Sequence, residues 1–333
     1  MYYIFSMKPG FFRLLLAALV VMYHLTKYVF LGGAAVYCFF ILSGYWIVRM
    51  YSEKYQEEKR ATLKFYTTRI IRIYPLFTFM TLLSLLMNAI FTSGYIDSIE
   101  NYSVINWITI FGLIGYQTGP WVVPPAWSLD IEMQFYAIFP IIWLLISKFK
   151  ITTTFLFITF LIWFNYCFQL IDLGANYKIT VLPFLFYFTL GAQLYLKPNV
   201  FSNKHARIGL FLFIVIILLQ YIVPDLRSKV IGKTDLIYFE QINLLLPLLL
   251  LPFISENLKI KSDKKDRVYG NLSYTIYLCH WVLIIPYNYF ASNLSFSQRL
   301  LPAIIYFLMT IIISKYVLKY FEEPILRKLK SYI

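Results

Sequence analysis

FFRLLLAALVVMYHLTKY, residues 11–28, is an apolar run of nearly membrane-spanning length, with an arginine near its start and a histidine near its end. Arg13 and His24 are 11 positions apart. At about 100° per residue that separation is roughly 1100°, only about 20° from a whole number of turns. Both side chains therefore project from one face of a single helix, about 16 Å apart along its axis. A charged or titratable side chain inside a membrane span costs about 3 kcal/mol or more and marks a functional site by default. This face carries two.

The rest of the chain has the same character. Hydrophobic residues make up 60% of its 333 positions and aromatic residues 20%. Only 14% are charged, against about 25% in a soluble domain. Apolar runs recur from end to end. The fold class is all-α: a polytopic membrane protein forming one transmembrane domain over residues 1–333. The short alternating segments of a membrane barrel are absent from the pattern. Spans are expected at 11–29, 34–51, 72–92, 127–147, 151–170, 180–196, 208–223, 239–254, 271–290 and 300–319, ten in all. The first run has Lys8 and Arg13 ahead of it, as a signal peptide would, but it carries His24 and continues into a second span. It is read as a retained first helix.

The net charge of +14 would suggest nucleic acid in a soluble protein. Here the excess marks the loops that stay on the cytoplasmic side. The basic loops are 52–69, the connection with Lys148 and Lys150, the one with Lys197, Lys204 and Arg207, the one at 259–267, and the tail with Arg327, Lys328 and Lys330. Every second connection is basic, which puts both termini in the cytoplasm. Residues 104–118 are apolar but short, and a full span there would invert every later loop. They are expected to re-enter the membrane or lie at its outer interface. Cys38, Cys167 and Cys279 all lie in apolar runs and read as packing residues.

Several residues are candidates for chemistry, each with a plainer alternative. Arg13 lies at the inner end of the first span, and Arg69 and Arg72, in RIIRIYP, at the inner end of the third. They are either topological anchors reaching the headgroups or a cradle for a polyphosphate, which arginine binds through paired charged hydrogen bonds. His24 is either a histidine satisfied by a neighbouring backbone or side-chain group or one that takes a proton from a hydroxyl and returns it to a leaving group. His280 reads as structural or accessory. Ser43 and Gly44 lie in FFILSGYWI of the second span, where a small residue lets helices approach closely. In WSLDIEMQFY, Glu132 either orients a histidine or belongs with Asp130 to an acidic helix start that Ser128 caps. Glu322 and Glu323 close the last span and are expected to face the inner arginines. Three histidines, one of them His205 in a loop, offer no ligand cluster, so no metal and no permanently bound cofactor is expected.

Taken together, Arg13 with His24, FFILSG at 39–44, RIIRIYP at 69–75, WSLDIEMQFY at 127–136, LSYTIYLCH at 272–280 and FEEP at 321–324 resemble the integral-membrane type 3 acyltransferases, the bacterial ten-span O-acyltransferases. The resemblance covers the chain from end to end. It implies transfer of an acyl group, most often acetyl, from cytosolic acetyl-CoA or another acyl-CoA. The acceptor is a hydroxyl of a cell-surface polysaccharide, such as an exopolysaccharide or O-antigen, or of its lipid-linked saccharide precursor. It places the protein in the bacterial cytoplasmic (inner) membrane beside other components of polysaccharide assembly, with no role for nucleic acid. His24 and Glu132 are then the catalytic candidates. Arg13, Arg69, Arg72 and Ser43 are candidates for the acyl donor. Gly44, Tyr74, Trp127, Ser128, Tyr136, His280 and Glu323 are structural or accessory candidates. Many relatives add an esterase-like domain outside the membrane. None is read here, so the membrane domain is expected to complete the transfer itself. The rival reading is a transporter of a lipid-linked sugar or small metabolite. Such proteins tend to show paired repeats and broken helices in corresponding places, and the sequence shows neither.

Overall fold

The structure, a computed structural model, describes residues 7–149 and 151–332; the side chains of residues 175, 176 and 296 lie outside it, as does Lys150 of the second basic loop. Among the described residues the chain is helical, with no strand. In chain order the principal helices are α1 (Pro9–Leu25), α2 (Gly32–Met50), α3 (Ala61–Phe91), α4 (Val104–Gly112), α5 (Trp127–Phe149) and α6 (Thr152–Phe168). Then come α7 (Leu185–Leu196), α8 (Asn203–Ile222), α9 (Leu236–Lys259), α10 (Lys264–Ala291), α11 (Phe296–Val317) and α12 (Glu323–Lys330).

Among the described residues seven helices are long and apolar enough to cross a membrane, and three shorter apolar helices overlap the stretches 11–29, 151–170 and 180–196. The protein is a multi-pass membrane protein. The helix ends differ from the hydropathy reading. α1 stops at Leu25, before Lys27 and Tyr28, so His24 falls in its last turn. α3 and α10 instead begin well before their apolar stretches, at Ala61 and Lys264. Apolarity marks the part of a helix that meets lipid; the backbone ladder runs on into charged sequence. α4 has nine residues, a length of about 14 Å, against a hydrocarbon core of about 30 Å. The residue that follows it, Leu113, has a left-handed φ of 50°.

The chain forms two compact units. The first comprises Met1–Gln56 and Ile141–Ser273; the second comprises Glu57–Pro140 and Tyr274–Ile333. The chain passes from one to the other three times: between α2 and α3, within α5 and within α10.

In the first unit α2 and α7 pack with almost no spacing. A Cβ on Gly44 would fall 2.1 Å from the Phe188 carbonyl oxygen, and one on Gly191 would fall 1.9 Å from that of Ile41. Only glycine allows the two backbones to meet in this way. Beside this seam Tyr37 stacks on Tyr187 with ring centroids 5.2 Å apart. The Tyr187 hydroxyl donates to the Leu244 carbonyl at 2.6 Å and accepts from Trp163 Nε1 at 2.9 Å. In the second unit, a π-helical turn over Leu318–Glu322 follows α11 and buries Glu322.

Candidate active site

The first unit holds Arg13, His24, Ser43 and Gly44. Arg13 and His24 lie on one uninterrupted helix, Arg13 in its second turn and His24 in its last. α1 begins with Pro9, which has no N–H to satisfy and already has a helical φ. The next two amides are taken by one side chain: Gly10 N donates to Asp266 Oδ2 at 3.0 Å and Phe11 N to Asp266 Oδ1 at 2.9 Å. Phe12 N then opens the helical ladder by donating to the Lys8 carbonyl at 3.0 Å. The Ser262 hydroxyl also donates to Asp266, and Asn257 Nδ2 donates to the Met7 carbonyl at 2.6 Å. Arg13 lies against Gly270: a Cβ there would be 3.7 Å from Arg13 Nη1 and 3.5 Å from Gly10 Cα.

At the other end of α1 the surroundings are aromatic. The half-buried His24 ring meets Tyr23 edge-on, with centroids 5.0 Å apart. Tyr23 lies nearly parallel to Phe239 at 6.5 Å. The exposed Lys233 ammonium sits over both rings, 5.5 Å from Tyr23 and 5.2 Å from Phe239. Ser43 is half-buried on α2, while Gly44 is buried in the seam with α7. The start of α2 is also held from a distance, Ala34 N donating to Asn243 Oδ1 at 2.9 Å.

The second unit holds the remaining candidates, several of them in three groups. Arg69 stands over the Tyr136 ring at 5.9 Å, and the Tyr136 hydroxyl donates to Glu132. Arg72 forms an ion pair with Glu322 and stands over the Tyr274 ring at 5.1 Å. Glu322 is 2% exposed and accepts from Thr275 Oγ1 at 2.7 Å through its other oxygen. The Tyr274 hydroxyl donates to the Ile73 carbonyl at 2.9 Å, which ties the ring to the helix that carries Arg72. Of the two terminal glutamates, Glu322 therefore faces Arg72, while Glu323 opens α12. In the third group the Tyr277 hydroxyl donates to the Pro125 carbonyl at 2.6 Å and lies 2.7 Å from Ser128 Oγ.

Asp130 takes no part in these groups. It is fully buried and accepts from Tyr116 N at 2.8 Å and Gln134 Nε2 at 3.0 Å, which fixes the 113–123 connection. Tyr74 donates to the Gly112 carbonyl at the end of α4. Trp127 opens α5, half-buried. His280 is fully buried, its Nδ1 3.2 Å from the Ile276 carbonyl, and its own carbonyl accepts from Tyr306 at 2.9 Å.

Sequence reading passed over Asp266, Asn243 and Tyr274. Tyr274 lay within a quoted motif, LSYTIYLCH. Asp266 had one signal, an acid among the lysines of a basic loop.

The family model described as "Acyltransferase domain" matches residues 10–318. The chain is similar to "O-acetyltransferase OatA" of Staphylococcus aureus (strain NCTC 8325 / PS 47), 25% identical over 347 aligned positions that cover 93% of this chain and 55% of that protein. It is similar too to the "Putative O-acetyltransferase SACOL0978" of Staphylococcus aureus (strain COL), 26% identical over 92% of this chain and 54% of the relative. The chain thus spans a little over half the length of these curated relatives. No solved structure matches it.

Proposed function

The chain belongs to the type 3 acyltransferase domain family, and from that premise we propose that it is a membrane O-acyltransferase. It moves an acyl group, acetyl in the first instance, from cytosolic acyl-CoA to a hydroxyl of a cell-surface polysaccharide or its lipid-linked precursor. The membrane is the bacterial cytoplasmic membrane, with the 52–69 and 255–268 loops inside. The observation that carries this reading is the pairing of Arg13 and His24 along one continuous helix. Coenzyme A keeps its charge on phosphates and its thioester at the tip of a long, flexible arm. A guanidinium near the inner end of α1 and an imidazole in its last turn suit the two ends of such a molecule.

In the proposed mechanism the arginines hold donor phosphate through charge-assisted hydrogen bonds. His24 accepts the proton of the acceptor hydroxyl as its oxygen attacks the thioester carbonyl carbon. The new C–O bond forms and the C–S bond breaks. The proton held by the imidazole passes to the departing thiolate, leaving an O-acyl ester and free coenzyme A. Acyl-CoA is a co-substrate, and the chemistry needs no resident cofactor.

The test is transfer of radiolabelled acetyl from acetyl-CoA by the full chain reconstituted in liposomes, with a saccharide acceptor on the opposite face. Labelled ester in the acceptor is expected. Absence of both transfer and thioester hydrolysis under all acceptors, with donor binding also absent, would overturn the assignment.

A further inference from the structure

We infer that Asp266 is a positioning residue for the proposed transfer: its carboxylate sets the inner end of α1 and thereby the placement of Arg13. Three observations converge. The account of unsatisfied amides at the start of α1 closes on this one side chain, because Pro9 has no N–H, Gly10 and Phe11 donate to the two carboxylate oxygens, and Phe12 already bonds to Lys8. Asp266 is 2% exposed and comes from the first turn of α10, so the positive ends of two helix dipoles meet at its carboxylate. A Cβ on Gly10 would fall 1.9 Å from the Asp266 carbonyl oxygen, which makes the helix crossing intolerant of rotation or sliding.

Arg13 stands one turn along from this crossing, on Gly270 of the same α10. The contact that caps α1 therefore also fixes the guanidinium against α10. A cap supplied by a neighbouring residue would only have ended the helix. A cap supplied from 256 residues away holds the helix in one place. The inference rests on the proposed role of Arg13 for the donor, and the test separates the two.

The full chain in liposomes would be compared with Asp266→Asn, Asp266→Glu and Arg13→Ala. Two quantities are read: amide hydrogen exchange over residues 8–25, and the KM for acetyl-CoA against kcat. Asp266→Asn is expected to speed exchange in the first turn of α1 and to raise the donor KM about tenfold, with kcat much less affected. Asp266→Glu keeps the charge and is expected to recover part of the KM; it also serves if the asparagine variant fails to accumulate. Unchanged exchange in a folded variant would overturn the capping role. Faster exchange with a wild-type donor KM would overturn the positioning role. A normal KM in Arg13→Ala would instead remove the proposed donor site, and the exchange result would still decide whether Asp266 pins the helix.

Discussion

Asp266 in the first unit and Glu322 in the second are each 2% exposed, yet the fold stabilises them by different means. Glu322 meets a full opposite charge on a side chain, Arg72, and a hydroxyl from Thr275. Asp266 meets backbone amides at the start of α1 and the Ser262 hydroxyl. The first arrangement joins two side chains, so its partner can be deleted. The second joins a side chain to a helix, so the partner can only be moved. Buried ion pairs offset the cost of desolvation only when both members are present, whereas a carboxylate on helix amides is also supported by the helix dipole. The difference sorts substitutions into those that threaten folding and those that displace a helix.

The largest effect should belong to neither carboxylate. Replacing His24 by Ala leaves both arrangements intact, and acyl transfer is expected to fall by about 10²–10⁴ if the imidazole is the general base. Acetyl transfer per folded protein in the membrane measures it. Near-normal transfer would move the chemistry away from α1, and the contrast between the two carboxylates would then concern stability alone. His280→Ala in parallel is expected to reduce folded protein instead, since that ring is fully buried beside a carbonyl of its own helix.

The next effect tests the ion pair directly. Arg72→Ala leaves Glu322 buried with its charge unanswered, a loss of about 3–5 kcal/mol. Adding Glu322→Gln to Arg72→Ala is expected to restore much of the thermal stability, because the uncompensated charge is gone. Donor binding by that double variant then separates two roles for Arg72. Weak binding in a well-folded double variant means that Arg72 also holds phosphate; normal binding means that it serves Glu322 alone.

Which of these residues could be read in advance follows from how far apart their partners lie in the chain. Helical spacing put Arg13 and His24 on one helix, and one uninterrupted helix does carry both. The apolar stretches were legible from composition, and the 104–118 stretch, read as short for a full span, holds the nine-residue α4. The end of α1 was not, since hydropathy continued to residue 29 while the backbone turned away after Leu25. Gly44 read correctly as a close-packing residue, but nothing local named Phe188 as the group it approaches. Glu322 and Glu323 were both legible as acids near inner arginines; the π-helical turn decides between them, and no local pattern announces it. Asp266 is the clearest omission. Its partners are 255 and 256 residues away and are backbone amides, so no side-chain chemistry at positions 10 and 11 points back to it.

A smaller effect is expected at the α2–α7 seam of the first unit, which touches neither carboxylate. A methyl group at Gly191 would fall 1.9 Å from the Ile41 carbonyl oxygen and 2.7 Å from Tyr45 N, so the two backbones must separate. Gly191→Ala should cost about 1–3 kcal/mol, the range for overpacking. Thermal unfolding in detergent reads it. Exchange at the first turn of α1 should stay at the wild-type rate, which separates general loosening of the first unit from loss of the Asp266 cap.

The smallest effect sharpens the comparison most closely, because it concerns an acid three residues from Asp266. Asp263 pairs with Lys8, the residue just ahead of α1, and its Oδ1 also accepts from Asp266 N at 2.8 Å. Both members of the pair are exposed. The hydrogen bond from Lys8, and then the one from the Asp266 amide, hold the Asp263 carboxyl below the usual carboxylate range. A carboxyl whose pKa falls on folding stabilises the folded state above its unfolded value, about 3.9, and loses that contribution as pH falls through the folded value. The contribution is therefore complete at neutral pH and disappears only in acid. Solvent and salt screen it throughout. Lys8→Ala should leave the melting temperature at pH 7 nearly unchanged and should not alter the donor KM. If it raised the KM as Asp266→Asn is expected to, the exposed ion pair rather than the buried carboxylate would be setting α1. Indifference to Lys8→Ala, together with sensitivity to Asp266→Asn, would show that burial on the helix amides, and not acidic charge near the start of α1, places Arg13.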